Sequence, residues 1–115
     1  MTLLAALAAE LAGLARRRET ISYGALARRL AIAGPGSIHR LTGALEALMA
    51  EDAAADRPFR AALCEGKLRG GRPAPGFFEA ARRLGRFAGP LDGPEAEAFV
   101  AGEREALFAR SADQL

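Results

Sequence analysis

Thr20-Ile-Ser-Tyr-Gly-Ala-Leu-Ala-Arg-Arg-Leu-Ala-Ile-Ala-Gly-Pro-Gly-Ser-Ile-His-Arg-Leu-Thr-Gly-Ala-Leu45 reads as a short helix, a turn and a longer helix. Ser22 is placed as the N-cap of the first, its hydroxyl accepting an early backbone N–H. Tyr23, Leu26, Ala27 and Leu30 then recur at helical spacing. Ala33-Gly-Pro-Gly36 cannot continue that helix, because proline lacks the donor and glycine is the usual exit residue. Ser37 is expected to cap the second helix, whose Ile38, Leu41, Leu45, Leu48 and Met49 fall on one face. Two helices joined by a tight glycine-containing turn make the minimal helix-turn-helix, whose second helix enters a nucleic-acid groove. An ordinary helical hairpin has the same pattern, and spacing alone does not separate the two.

Working outward, Leu3, Leu4, Leu7, Leu11 and Leu14 predict an amphipathic N-terminal helix over 2–18. Arg16, Arg17 and Arg18 fall in its last turn, where they complement the helix dipole. The helix-turn-helix spans 20–55 and stops before Arg57-Pro58, since the residue before proline avoids helical angles. Arg60-Ala-Ala-Leu-Cys-Glu65 is the best strand candidate. Gly66 to Gly76, rich in turn formers, follows it as a hairpin tip or an irregular wing within a wing region over 58–76, with Leu68 as its one apolar anchor. Phe77, Phe78, Ala81, Leu84 and Phe87 predict a helix over 77–88. Pro94, with Glu95 and Glu97 in the first turn, starts a last helix over 94–110 that buries Phe99, Val100, Leu107 and Phe108. The expected fold is therefore mainly α: one domain, a winged helix-turn-helix with a short hairpin wing and flanking terminal helices.

At 115 residues the chain supports one modest core. Its hydrophobic half is alanine-rich, which favours close helix packing over a large aromatic core. A single cysteine excludes an intrachain disulfide and fits a reducing compartment. The apolar run 2–14 contains Glu10 and is too short to span a bilayer. Its basic cluster follows the apolar run, whereas a secretory signal carries its positive charge first. A cytoplasmic protein that does not enter the membrane is expected.

Charge is distributed unevenly although the net charge is only +2. Arg57 to Arg86 holds eight Lys or Arg against Glu65 and Glu79, while the chain from Asp92 onward holds six acids against Arg104 and Arg110. A basic middle after a helix-turn-helix is the electrostatic footprint of a nucleic-acid binder. A solvated arginine face has the same composition.

Ile21-Ser-Tyr-Gly-Ala-Leu-Ala27, then Pro35, then Arg40-Leu-Thr-Gly-Ala-Leu45 resembles the C-terminal DNA-binding domain of methylated-DNA–cysteine methyltransferases and the alkyltransferase-like proteins. The resemblance covers roughly 20–48, with a looser echo in 66–78. It implies a winged helix-turn-helix that binds DNA through the minor groove. It also implies that Arg40 inserts into the duplex in place of a flipped nucleotide, with Tyr23 beside the 3′ phosphate helping to rotate the base out. Extruding a base costs a few kcal/mol, which such inserted groups must offset.

The chain departs from that family where the chemistry lies. Alkyl transfer needs Pro-Cys-His-Arg, in which histidine makes the cysteine a thiolate. The comparable place here reads Leu63-Cys64-Glu65-Gly66-Lys67, without the proline or the histidine. The alkyltransferase-like proteins, which lack the cysteine, keep a following His-Arg that is also missing. Cys64 is expected to be a small core residue. His39, the one histidine, has no sequence partner for catalysis, and no cluster has metal-ligand spacing.

These residues predict a non-catalytic protein that binds double-stranded DNA, without metal or cofactor. Ser37, His39, Arg40 and Thr42 are the candidates for base edges. Arg28, Arg29, Arg57, Arg60, Lys67, Arg69 and Arg72 are the candidates for phosphates, which hold position without reading sequence. Tyr23 and Arg40 carry the roles implied by the resemblance. The alternative is a protein-interaction module, using the terminal helices for a homodimer or a larger partner. A thiol enzyme using Cys64 ranks last.

Overall fold

The computed structural model describes residues 1–113. In order these form α1 (Leu3–Arg17), β1 (Ile21–Ser22), α2 (Tyr23–Arg29), α3 (Ser37–Ala54), a 3-10 turn (Arg60–Leu63), β2 (Cys64–Glu65), α4 (Pro75–Arg83) and α5 (Pro94–Asp113). The domain is mainly helical, with a small two-stranded sheet.

Local chemistry sets the helix ends. Thr2 Oγ1 accepts the Ala5 N–H at 3.1 Å to begin α1, and Arg18 ends it in the left-handed region. Ser22 Oγ accepts the Ala25 N–H at 3.1 Å, as expected of the cap of α2. Ser37 does not cap α3. Gly36, at a φ of 77°, holds the cap position, so Ser37 is already helical and no side chain caps the helix. Proline begins both α4 and α5, where its missing N–H costs nothing. Gly85, with a φ of 76°, follows the end of α4, so the helix stops at Arg83 rather than running on to 88.

The expected hairpin wing does not form among the described residues. Residues 60–63 wind into the 3-10 turn, and β2 pairs in parallel with β1, Ile21 opposite Cys64 and Ser22 opposite Glu65. Parallel pairing needs a long crossover, and α2 and α3 supply it. A second hairpin strand is blocked by composition. Pro73 and Pro75 cannot donate to a ladder, and Leu68, Gly70 and Gly71 all take positive φ. Residues 66–74 take the irregular alternative, a loop closed by the Gly66 N–H on the Arg72 carbonyl at 2.8 Å. Leu68 does not anchor this loop; it is 96% exposed at the tip.

The terminal helices pack on each other and on the 3-10 turn. Leu7, Leu11 and Leu14 of α1 and Val100 and Leu107 of α5 are buried within this one core. Those apolar faces are therefore occupied inside the chain. The core is also more aromatic than its alanine content suggests. Phe59, Phe77, Phe78, Phe87 and Phe99 form one edge-on and tilted cluster, with Phe59 and Phe77 centroids 6.0 Å apart and Phe87 and Phe99 4.9 Å apart. Phe87 joins this cluster from the turn after α4, not from a helix. No helix among the described residues is long and apolar enough to cross a membrane.

Candidate nucleic-acid interface

A groove of about 800 Å³ opens between the first turns of α2, the start of α3 and loop 66–71. The α2 side carries Ser22 and Arg28, the α3 side Ile38, and the loop side Lys67, Leu68 and Arg69. Ile38 lies one turn before Leu41 on the apolar stripe of α3, beyond the edge of the core, and is 44% exposed. His39 and Arg40 follow it on the exposed start of the helix. No acid occupies that first turn. Its uncapped N–H groups and the positive end of the helix dipole suit an anion.

Arg40 folds back on its own turn. Its Nη1 donates to the Pro35 carbonyl at 3.1 Å and its Nη2 to the carbonyl of Ala33. Both are carbonyls of the linker between α2 and α3, so the guanidinium braces the turn. Thr42 is half-buried, its hydroxyl donating to the His39 carbonyl at 3.0 Å. It lines a separate cavity of about 280 Å³ behind Tyr23, together with Leu45 and Phe77.

Tyr23 joins the helix-turn-helix to the loop. Its hydroxyl accepts the Ala74 N–H at 2.9 Å, and burial pushes its pKa up to about 12. Three residues earlier the loop is held by Arg104 of α5, whose Nη2 donates to the Gly71 carbonyl and whose Nε donates to the Ala62 carbonyl of the 3-10 turn, both at 2.7 Å. Burial lowers the Arg104 pKa, with nearby Glu65 opposing the shift. Cys64 is fully buried, and burial pushes its thiol up to about 12, with Arg104 pulling the other way. A thiol so protonated is a poor nucleophile.

The cations expected to act together are dispersed and mostly engaged. Arg57 and Arg60 sit at the far end of α3 on the buried carboxylate of Asp52, with Arg57 Nε 3.1 Å and Arg60 Nη2 2.9 Å from Oδ1. Arg69 pairs with Asp92 at 2.9 Å, and Arg72 lies 3.5 Å from Glu97. Arg83 meets Glu46 at 3.0 Å, and Arg86 meets Glu103 at 2.8 Å. Arg29 reaches Glu10 at 3.5 Å. Among the described residues Arg28 and Lys67 have no acidic partner, and both line the groove. The acidic C-terminal segment thus neutralises much of the basic middle from within.

Asp52 and Arg104 were not singled out from sequence, although both left a signal. Asp52 continues the α3 stripe Leu41, Leu45, Leu48, and Arg104 stands between Val100 and Leu107 on α5. A charged residue at an apolar-stripe position points to a buried partner. Among the described residues no three His, Cys, Asp or Glu side chains converge as a metal ion would require.

The groove and its surroundings define a helical domain whose cleft, beside an uncapped helix start, is lined by Arg28, Lys67 and Arg69 and by one acid, Glu65. No protein-family model, characterised protein or solved structure matches this chain.

Proposed function

We propose that the protein binds duplex DNA through the start of α3 and loop 66–71, without catalysing a reaction. The observation that carries this reading is the position of Arg28 and Lys67. They are exposed cations with no acidic partner among the described residues, and they flank one groove beside an N-terminal helix turn free of acids. Cations and free backbone donors of this kind suit the phosphates of a duplex. Ser37 and His39 flank Ile38 in the first turn of α3 and are the candidates for base edges or sugars, and Leu68 offers an apolar tip of the kind that enters a minor groove.

The contact is small. Arg57, Arg60, Arg69 and Arg72 are held by acids of the same chain, so the reading rests on fewer phosphate contacts than the sequence suggests. Modest affinity and a shallow salt dependence follow. The resemblance of residues 20–48 to the alkyltransferase-like DNA-binding domain agrees with the same face. Fluorescence anisotropy with a short duplex across a salt series tests the reading. Binding that weakens with salt, and weakens further in Lys67→Ala, is expected. A duplex that stays unbound at low salt overturns it.

A further inference from the structure

Arg16, Arg57, Arg60 and Arg110 line one cavity of about 340 Å³, and Asp52 is the one acid on its wall among the described residues. The cavity lies where the last turns of α1 and α5 meet the end of α3 and the segment leading into the 3-10 turn. Asp52 is fully buried and already committed. It accepts the Arg57 Nε at 3.1 Å, the Arg60 backbone N–H at 3.0 Å and the Arg60 Nε at 3.0 Å. One carboxylate between two guanidiniums leaves positive charge in excess on the cavity wall. Glu51 comes within only 3.8 Å of Arg60 Nη2 and is more than half exposed, so it compensates weakly.

Arg60 Nη2 is buried against the Asp52 carboxylate, 2.9 Å from Oδ1, so Arg60 is spent on Asp52 and contributes charge to the wall. Arg16 and Arg110 line the cavity from α1 and α5, with no acidic partner among residues 1–112. Like charges gathered around a recess repel one another, and an anion entering it turns that repulsion into attraction. Planar guanidinium forks match the oxygens of a phosphoryl group better than any other common anion-binding side chain.

We propose that this cavity binds a phosphomonoester, its dianionic phosphoryl group held by Arg16 and Arg110 beside the positive wall of Arg57 and Arg60, and its body resting on the apolar wall of Leu11, Ala15 and Leu107. The volume falls in the range of small-molecule sites. The excess of guanidiniums over carboxylates favours a dianion over a monoanionic carboxylate or a single phosphodiester. The site is separate from the groove. Asp52 and Ile38 are 14 residues apart along α3, or about 21 Å at the rise of a helix. The proposal therefore stands whether or not the protein binds DNA.

Calorimetry and thermal unfolding of the full chain test it, with phenyl phosphate, inorganic phosphate and benzoate as probes. Phenyl phosphate is expected to bind one to one and raise the melting temperature, with inorganic phosphate weaker and benzoate at least about tenfold weaker. The double variant Arg16→Ala/Arg110→Ala removes two exposed side chains, and its unligated melting temperature checks that it folds. It should lose at least about tenfold in phenyl phosphate affinity. Arg28→Ala/Lys67→Ala should bind the probe as the parent does. Absence of binding at millimolar phenyl phosphate overturns the proposal, as does an unchanged affinity in the arginine double variant. Benzoate binding as tightly as phenyl phosphate would refute the phosphoryl assignment. Competitive displacement of phenyl phosphate by a short duplex would reassign the cavity to a nucleic-acid phosphate.

Discussion

The guanidinium of Arg104 on α5 donates to the carbonyl of Gly71 at 2.7 Å, tying the last helix to the loop that walls the groove. The same side chain donates to the Ala62 carbonyl at 2.7 Å and lies 3.4 Å from the Cys64 carbonyl. It therefore holds the 3-10 turn, β2 and loop 66–74 in one arrangement. Truncating it leaves part-buried carbonyls without their charged donor, a loss of about 2 kcal/mol. Arg104→Ala is expected to lower stability by that amount in urea denaturation. Amide exchange should rise in 66–74 more than in α1 or α3. Uniform exchange across the chain would count against a specific hold on the loop.

Asp52 gives a larger effect. Its carboxylate is fully buried and joins Arg57 and Arg60, so Asp52→Ala leaves two guanidiniums facing each other without their anion. Breaking a buried pair by removing one partner costs roughly 3–5 kcal/mol, which is much of a small domain's stability. Arg57→Ala, whose side chain is more exposed at 38%, should cost clearly less because Arg60 remains on the carboxylate. Equal losses in the two variants, read from denaturant midpoints, would contradict the hub role of Asp52.

Cys64 and Tyr23 set the alkaline limit. Burial pushes the thiol from 9.0 to about 12 and the phenol from 10.0 to about 12. A group whose folded pKa is raised adds stability that is complete below its unfolded pKa and disappears as pH rises through the folded one. Stability should thus hold from neutrality to near pH 9 and then fall toward pH 12, with Cys64 alone contributing a loss on the order of 1 kcal/mol by pH 10. Cys64→Ala should flatten the first part of that fall. In the native parent a disulfide reagent should modify the thiol slowly at pH 8 and rapidly after denaturation; fast native reaction would show a thiol far more accessible than its full burial implies.

The helices were legible because their signals are local. Ser22 caps α2, Gly34 to Gly36 break the chain, prolines open α4 and α5, and Leu7, Leu11 and Leu14 of the α1 stripe and Leu41, Leu45, Leu48 and Met49 of the α3 stripe are buried, with Ile38 left exposed. The failures came from relationships distant in sequence. Nothing near Arg60–Glu65 indicates that its last two residues pair with Ile21 and Ser22, so the local pattern alone points to a hairpin strand. The basic middle looked available for phosphate because the acids that occupy it, Asp92, Glu97 and Glu103, arrive from the C-terminal segment. At the candidate interface, Arg28 and Lys67 were legible as cations, but their lack of partners was a tertiary fact. The residue type of Leu68 suggests burial, whereas it sits at a positive φ among glycines and is exposed at the loop tip.

Arg40 separates two accounts of the groove. Its guanidinium braces the carbonyls of Ala33 and Pro35, a structural part that does not require DNA. Arg28 and Lys67 have no such duty among the described residues. If the duplex lies on the groove, Lys67→Ala and Arg28→Ala should each weaken binding and lower the magnitude of the salt slope by about 1, with little change in stability. Arg40→Ala should lower stability by about 1 kcal/mol whatever the ligand, because it removes two hydrogen bonds from an exposed turn. Its effect on binding then identifies its role. A loss no larger than that of Lys67→Ala leaves Arg40 as a brace for the turn. A much larger loss, with a fluorescent base analogue in the duplex no longer unstacking, would mean that Arg40 leaves its carbonyls and enters the stack. Unchanged binding in all three variants would remove the groove as the DNA contact.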